Sequence, residues 1–149
     1  MSGSLKAISK ENVEECSVLY RKVFNSDPWN DGWLLDDVKE RLSDIISNPH
    51  YWGVGLYSDG GRLVGFLVGY SEKWLQERHF HVIELCVDLD FQNKGIGTRL
   101  ITALENYCNE VGINNIYLVT AKGGQAEHFY NKNDFITNSQ LIMMSKALD

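Results

Sequence analysis

The chain has 149 residues and a mass of 17.0 kDa, the size of one domain, which excludes an enzyme with a separate cofactor module. Its composition, 44% hydrophobic and 23% charged, is that of a soluble globular protein and excludes disordered and fibrous classes. The net charge of -6 disfavours a nucleic-acid partner, and no apolar run approaches the roughly 20 residues of a membrane span, so we expect neither partner.

The first fifty residues predict one strand and two helices. Residues 5–8 are typical of a short strand, and Ser9 is placed to cap a helix whose apolar residues recur at helical spacing as far as Phe24. A loop signal at 25–28 ends that helix. Apolar residues at the same spacing then predict a second helix over 35–46.

Strands occupy the middle of the chain. Residues 51–57 and 62–70 are joined by the hairpin-forming sequence Ser-Asp-Gly-Gly, and 81–87 form a third apolar run. The remaining predicted elements are a helix over 96–111 that Gly112 ends, a buried strand over 116–120, a short helix over 125–133, and one or two closing strands over 135–148. This order favours an α/β (α+β) fold, a mixed sheet with helices on both faces, over a helical bundle or a β-sandwich.

Three cysteines, Cys16, Cys86 and Cys108, are widely separated and lie in apolar stretches. Their odd count and the lack of paired spacing argue against a disulfide framework or a zinc site, so we expect buried, reduced thiols and no bound metal. The N-terminal residues lack the charged-then-apolar pattern of a secretory signal. These features favour a cytoplasmic protein.

A glycine-containing turn between a predicted strand and a predicted helix is the most informative segment. It reads Gln-Asn-Lys-Gly-Ile-Gly at 92–97. The first N–H groups of a helix have no partner within it and carry partial positive charge, and Gly95 and Gly97 leave them open to an anion. The pattern predicts a diphosphate site built from backbone. A glycine-containing helix entry that binds nothing is the alternative.

Two familiar phosphate motifs fit this turn less well. A Walker loop needs Gly-Lys-Ser/Thr, whereas Lys94 precedes Gly95, and a dinucleotide fingerprint needs a third glycine where Leu100 stands. The remaining pattern, Gln-x-x-Gly-x-Gly after a strand, resembles the pyrophosphate loop of the GNAT N-acetyltransferase superfamily.

A second segment, residues 126–135, resembles the A-x-x-F-Y-x-K-x-G-F segment of the same family. It departs from the family pattern at Asp134, where glycine is usual. Gly123 also stands where the family often has a coenzyme-binding asparagine. Both motifs occur in the expected order. The resemblance implies a single GNAT acyl-CoA N-acyltransferase domain over residues 1–149, with a mixed, mostly antiparallel central sheet.

The resemblance also implies an activity and a coenzyme site. An acetyl group passes from acetyl-CoA, the cosubstrate, to an amine by direct attack. The strand before the loop carries a bulge and splays from its neighbour, and Leu85 and Val87 contact the pantetheine arm through their backbones. The residues implied around the diphosphate are Gln92, Asn93, Lys94, Gly95, Gly97 and Thr98.

Direct transfer needs an acid for the departing thiolate and a base that deprotonates the ammonium, because only the neutral amine has a lone pair with which to attack. Tyr130 matches the family tyrosine that can protonate the thiolate; the alternative is a tyrosine packed under the sheet. Glu84, in the middle of an apolar strand, is the candidate to hold or deprotonate the amine, or else a solvated residue on the rim of the sheet. His79 and His81 are secondary candidates for a proton relay, although structural histidines are commoner on strands.

An acidic, aromatic segment at 26–37, with four acids, two tryptophans and no basic residue, suits a cationic amine. Asp36 and Asp37 are better explained as acids at a helix N-terminus, and the tryptophans have packing as their alternative role. Trp74, placed in the loop before the 81–87 strand, is a further candidate. The candidate acceptor-binding residues are therefore Trp29, Asp31, Trp74 and Glu84.

The favoured function is N-acetylation of a small, cationic, aminoglycoside- or polyamine-like amine. Acetylation of a protein N-terminus or lysine is one alternative, and a non-catalytic CoA-binding sensor module is another. Residues 1–93 hold 9 Lys or Arg against 15 Asp or Glu, whereas residues 94–149 hold 5 of each. All the net negative charge therefore lies in the part with the acidic segment, which favours a cationic acceptor. The oligomeric state stays open, with a homodimer as one option.

Overall fold

The computed structural model describes residues 2–149. They form two compact units, the first ending at Val119 and the second spanning Thr120–Asp149. The strands are β1 (Ser4–Ala7), β2 (Tyr51–Tyr57), β3 (Leu63–Trp74), β4 (Glu77–Val87) and β5 (Asn115–Tyr117). The helices are α1 (Val13–Phe24), α2 (Leu35–Ile46), α3 (Ile96–Val111) and α4 (Gln125–Lys132). None of these helices, in the part of the chain described, is both long enough and apolar enough to cross a membrane.

One five-stranded sheet, in the order β1-β2-β3-β4-β5, forms the centre of the first unit. The first three strand pairs are antiparallel, and β4 and β5 are parallel. The expected hairpin joins β2 and β3: Gly61 adopts φ +83°, and the Ser58 N–H donates to the Arg62 carbonyl across 2.8 Å. The mixed, mostly antiparallel sheet is confirmed.

Helices cover both faces of the sheet, as the element order predicts. The apolar sides of α1 and α2, including Leu19 and Leu42, share one core cluster with Phe66 of β3. The neighbouring Gly65 points the other way, and a Cβ there would lie 3.0 Å from Ile96 of α3. Because adjacent strand residues point to opposite faces, α3 lies on the face opposite α1 and α2.

A β-bulge interrupts the pairing of β3 and β4. Val68 pairs with Glu84, but Gly69 pairs with Val82, so Ile83 is the extra residue on β4. The backbones approach closely here, since a Cβ on Gly69 would lie 2.1 Å from the His81 carbonyl oxygen. Only glycine therefore fits opposite this part of β4. A bulge in this strand is the feature that the family resemblance implies.

Two predictions about the sheet are wrong in detail. The strand expected at 116–120 is Asn115–Tyr117, and it is not buried: Asn115 and Tyr117 are exposed because β5 is a short edge strand that pairs with β4 alone. Trp74 does not lie in a loop. Pairing continues outward as far as Trp74 with Glu77, so Trp74 is the last residue of β3.

The second unit contains α4, close to its predicted range. The helix ends in a Schellman arrangement in which Asp134 adopts φ +68° and the Phe135 N–H donates to the Tyr130 carbonyl across 3.0 Å. The closing strands expected over 135–148 are absent. A strand needs a neighbouring backbone to pair with, and within residues 120–149 α4 is the sole regular element.

Asp134→Gly is expected to raise the free energy of unfolding by about 0.5–1 kcal/mol, because the left-handed conformation is strained for a residue with a Cβ and free of strain for glycine. Urea denaturation of the two proteins measures the difference. Asp134→Ala serves as the control and is expected to be destabilising. A glycine variant less stable than the original protein would contradict this account of the helix end.

Candidate active site

The loop that precedes α3 adopts left-handed backbone at two positions. Asn93 adopts φ +63° and Gly95, the N-cap of α3, adopts φ +76°. The Arg99 N–H is bonded to the Gly95 carbonyl, so the amides of residues 96–98 precede the first helical hydrogen bond. No atom lies within 4 Å of a Cβ built on Gly95, and no acid occupies the first turn. With open space in front of Gly95 and no acid in the first turn, these amides fit an anionic diphosphate.

A buried carboxylate anchors the start of this loop. Asp88 is 1% exposed and accepts from Lys22 Nζ at 2.8 Å, Arg62 Nη2 at 2.6 Å and the Asp90 N–H at 3.0 Å. Burial raises the pKa of the Asp88 carboxyl, but the hydrogen bonds from Lys22 and Asp90 outweigh it and hold the pKa below its usual range. The loop is thus tied to α1 and to the β2–β3 turn.

The edge of β4 that faces β5 has no strand partner over its second half. The pairing of β4 with β5 ends at His81 and Tyr117, two residues before the bulge. Within residues 2–149, the 82–87 stretch pairs with β3 on one side and has no strand partner on the other. Leu85 and Val87 lie in this stretch. Its unpaired backbone groups are where the family resemblance implies the pantetheine arm.

Glu84 is buried and paired, so its alternative assignment as a solvated residue on the sheet rim is wrong. Only 8% of the residue is exposed. Oε1 accepts from Tyr20 Oη at 3.2 Å and from Arg41 Nε and Nη2 at 3.0 and 2.7 Å. No hydrogen bond within residues 2–149 reaches Oε2. In that range every fully buried side-chain polar atom except Ser17 Oγ has a hydrogen-bond partner. Because Oε2 of Glu84 has no such partner, it is not fully buried and retains contact with solvent.

The environment of Glu84 shifts its proton affinity. Burial raises the pKa of this carboxyl, hydrogen bonds and charge from Arg41 lower it, and the nearby Asp31 carboxylate raises it again; the net result is a pKa above the usual value. A carboxyl so placed takes a proton more readily than an exposed one, as a general base requires.

The acidic segment at 26–37 lies beside these residues through aromatic contacts. The Trp33 ring meets Tyr20 edge-on at 5.5 Å, and its Nε1 donates to Asp31 Oδ2 at 3.2 Å. Trp29 packs on Phe24 with ring centroids 5.6 Å apart and is 37% exposed. Both tryptophans therefore pack against other rings, as their alternative role requires. Trp29 and Asp31 are nevertheless exposed.

An open cavity of about 370 Å³ adjoins Arg41. The residues that line it are Trp33, Asp37, Glu40, Arg41, Asp44 and Ile45. Asp36 and Asp37 lie in the first turn of α2, as expected of acids at a helix N-terminus. Asp37 also faces the cavity, where three carboxylates outnumber one guanidinium.

The two histidines of β4 lie on the same sheet face as Glu84. His81 pairs with Tyr70, which shares a face with Val68, the partner of Glu84. His81 stacks on Tyr117 at 4.4 Å, and burial lowers its pKa, with partial opposition from the charge of Glu72. The other histidine, His79, stacks on the exposed Trp74 at 5.6 Å, and its Nε2 lies 3.3 Å from Glu77.

Tyr130 lies half-buried on α4 of the second unit, with its ring edge-on to Phe129 at 5.2 Å and to Phe135 at 5.4 Å. Gly123 adopts φ +80°, and its N–H donates to Glu127 Oε1 at 2.7 Å. Gly123, which replaces the asparagine often found in the family, thus has left-handed backbone just before α4.

The three cysteines are free thiols and buried, as predicted. Burial raises the pKa of Cys16 to about 12 and that of Cys108 to about 11, and it raises the pKa of Cys86 well above the ordinary value. None is a thiolate at neutral pH, which disfavours a covalent acyl-enzyme on cysteine. Within the described residues, no group of three or more His, Cys, Asp or Glu side chains is arranged to hold a metal.

Sequence reasoning missed Arg41 and Tyr20. Tyr20 is one of the apolar-spaced residues of α1, and Arg41 lies on the polar side of α2. Their sequence separations from Glu84 are 64 and 43 residues. The unpaired charge of a carboxylate within an apolar strand was the one available signal that some cation or donor must meet it.

Comparisons with known proteins agree with this geometry. The family model described as "Acetyltransferase (GNAT) family" matches residues 13–135. No curated protein sequence matches the chain significantly.

Solved structures similar to the fold include an aminoglycoside acetyltransferase, meta-AAC0020, from an uncultured soil metagenomic sample in complex with sisomicin (TM-score 0.80, 19% identity, 98% of this chain and 96% of that one). A possible acetyltransferase from Clostridium difficile 630 is also similar (TM-score 0.82, 11% identity, 98% of both chains). A third is aminoglycoside N-acetyltransferase AAC(6')-Iy in complex with CoA (TM-score 0.77, 14% identity, 99% and 96%). Since the family model covers most of the chain and the fold is shared, the protein is an acetyltransferase and belongs to the GNAT family.

Proposed function

We propose that this protein transfers the acetyl group of acetyl-CoA to a primary amine of a small, cationic acceptor. The observation that carries the proposal is the Glu84 carboxylate in the part of β4 that lacks a strand partner on one side, with Oε1 occupied by three donors and Oε2 left to solvent. A carboxylate oxygen at this position is able to hold an ammonium and then take its proton.

The charge of the surrounding surface supports a cationic acceptor. The cavity beside Arg41 has three carboxylates, from Asp37, Glu40 and Asp44, and one aromatic ring, from Trp33. Carboxylates pair with ammonium groups, and an indole face attracts them through its quadrupole. The structurally similar proteins described as aminoglycoside acetyltransferases point the same way, at 19% identity or less.

The coenzyme supplies an acetyl thioester and a thiolate leaving group. In the proposed reaction, the loop amides and Gln92, Asn93, Lys94 and Thr98 hold the diphosphate, and the backbones of Leu85 and Val87 hold the pantetheine arm. Glu84 takes the ammonium proton through Oε2, the amine nitrogen bonds to the acetyl carbon, and the carbon–sulfur bond breaks. Tyr130 donates a proton to the sulfur, and the second proton that the nitrogen loses on becoming an amide restores the tyrosine hydroxyl. Glu84 releases the first proton to solvent, so charge and protons balance.

A thiol-release assay with acetyl-CoA and a panel of amines tests the function. The panel contains sisomicin, spermidine, butylamine and a lysine-containing peptide. We expect the multiply charged small amines to give a kcat/KM at least about 10-fold above that of butylamine, because only they engage the carboxylates of α2. Highest turnover of the peptide would favour a protein acetyltransferase. Coenzyme binding with no turnover of any amine would favour a CoA sensor.

Tyr130→Phe is expected to lower kcat by about 10- to 100-fold, because the thiolate then leaves without a proton donor. The affinity for acetyl-CoA is expected to stay within about two-fold, since one hydroxyl is removed and the ring contacts with Phe129 and Phe135 remain. Steady-state kinetics and calorimetric titration with acetyl-CoA check the two parts. Weakened coenzyme binding at unchanged kcat would show that the tyrosine is structural.

A further inference from the structure

The hydrogen bonds to Glu84 are distributed unevenly between its two oxygens. Tyr20 from α1 and both nitrogens of the Arg41 fork from α2 donate to Oε1, and none of them donates to Oε2. An arginine beside a carboxylate commonly bonds to both oxygens, one to each nitrogen. Here the fork converges on a single oxygen. The second oxygen is thereby kept free on the same sheet face as the acidic segment.

We propose that Arg41 is a positioning residue for acetyl transfer: by holding Glu84 through Oε1, it directs Oε2 to the ammonium of the acceptor. This inference rests on the proposed role of Glu84. It explains a cation that would otherwise be out of place in a site for cationic amines. Arg41 is neutralised by Glu84, and its guanidinium is turned to the oxygen that the substrate does not use.

The geometry of the fork distinguishes arginine from lysine at this position. Nε and Nη2 are held in one rigid plane, so two bonds of 3.0 and 2.7 Å fix the position of Oε1. Because the other end of the Glu84 side chain is held by β4, a fixed Oε1 also sets the direction of Oε2. A lysine ammonium supplies the same charge from a flexible stem and fixes no plane. The side chain of Arg41 is 41% exposed, so its replacement leaves the core of the sheet intact.

The charged and titratable groups that face Glu84 set the sign of the pH effect. They are Tyr20 from α1, Arg41 from α2, Asp31 from the α1–α2 connection and Cys86 from β4 itself. Arg41 is the single cation among them. Without it, burial and Asp31 both act to raise the pKa of Glu84. The base must be ionised, so activity is lost as the pH falls through that pKa, and this loss moves to higher pH when Arg41 is removed.

The test compares Arg41→Met and Arg41→Lys with the original protein over pH 6 to 9, using sisomicin and spermidine as acceptors. Lys39→Met is the matched control. It removes a cation from the same helix whose partner, Glu14, lies at 3.7 Å and takes no part in the site. The ratio of variant to original kcat/KM at each pH cancels the titration of the amine itself. A ¹³C NMR titration of labelled Glu carboxyls, with the Glu84 signal assigned from its loss in Glu84→Gln, reports the pKa without any acceptor.

We expect Arg41→Met to lose about three- to ten-fold in kcat/KM at the alkaline end, as Arg41→Lys does, and about 10-fold more than that at the acid end, with a raised pKa of Glu84 in the NMR titration. Arg41→Lys keeps the charge and hence the pH profile, but loses about three- to ten-fold in kcat at every pH because the direction of Oε2 is no longer fixed. Lys39→Met matches the original protein.

Two results separate the failure of this inference from the failure of the proposed function. If Glu84→Gln is inactive while both Arg41 variants match the original protein at every pH, the role of Arg41 is refuted and Glu84 keeps its role. If Glu84→Gln retains full activity, the base assignment fails and the positioning role falls with it. A loss in Arg41→Met that is the same at every pH would also overturn the inference, since a merely structural defect gives that pattern.

Discussion

Gly95→Glu is expected to abolish acetyl-CoA binding, with the dissociation constant raised by at least about 100-fold. Gly95 is the N-cap of α3, its φ is +76°, and the space in front of its missing side chain is open. A glutamate side chain there would put a carboxylate beside the free amides at 96–98, where the diphosphate is proposed to bind. Like charges at such a distance repel, and the side chain also fills the path to the amides. Calorimetric titration with acetyl-CoA measures the change.

A matched substitution at the other end of α3 controls for the backbone strain that Gly95→Glu introduces. Gly112 is the C-cap of α3 and adopts φ +81°, also with open space around it. Gly112→Glu therefore carries a similar strain but stands far from the loop amides. We expect both variants to lose about 1 kcal/mol of stability and only Gly95→Glu to lose the coenzyme. Unchanged affinity in Gly95→Glu would refute the assignment of the loop.

Glu84→Gln is expected to lower kcat by about 10²- to 10³-fold, because an amide neither takes the ammonium proton nor balances the charge of Arg41. The shape of the side chain is conserved, and the amide oxygen still accepts from Tyr20 and Arg41, whose distances to Oε1 are 2.7–3.2 Å. The affinity for acetyl-CoA is therefore expected to change by less than about three-fold. Initial rates of thiol release with spermidine, at saturating acetyl-CoA, give kcat.

The same substitution at the start of β4 provides the control for Glu84→Gln. Glu77 is exposed, and Glu77→Gln loses only a contact with the His79 ring. It is expected to match the original protein in kcat and in thermal stability. A Glu84→Gln variant that keeps its kcat would contradict the base assignment. A variant that loses kcat together with coenzyme binding would show instead that the carboxylate supports the fold of β4.

Local sequence signals predict the elements that local interactions determine. Helix α2 has its predicted range of 35–46 because its apolar residues recur at one spacing and an acidic first turn marks its start. The loop before α3 was also predicted, since glycine at two near positions is needed for a backbone anion site whatever the rest of the chain does. The unusual φ of Asp134 explains why the related family has glycine at that place.

Tertiary contacts decide the features that the sequence does not reveal. The partners of Glu84 come from α1 and α2, and they meet it because the bulge at Ile83 turns residues 84 and 86 toward those helices. The 135–148 segment has the apolar composition of a strand, but strand formation depends on a backbone partner that composition does not encode. The position of Trp74 followed from the length of β3, which the strand pattern underestimated by four residues.

The structure shows where part of the excess negative charge lies. All the excess acid lies before Lys94, and part of it is on α2 as Asp37, Glu40 and Asp44, the acids of the cavity beside Arg41. Other acids have local partners, as Asp88 does with Lys22 and Arg62. The acids of α2 are the ones placed to attract a cationic acceptor.

Initial rates of thiol release over a grid of acetyl-CoA and spermidine concentrations test the central claim most directly. The claim is that the amine attacks acetyl-CoA itself while both are bound, since Cys16, Cys86 and Cys108 are buried and protonated. The account predicts no release without amine and double-reciprocal lines that intersect. Parallel lines, thiol release without amine, or tight coenzyme binding with no release at any amine concentration would contradict it.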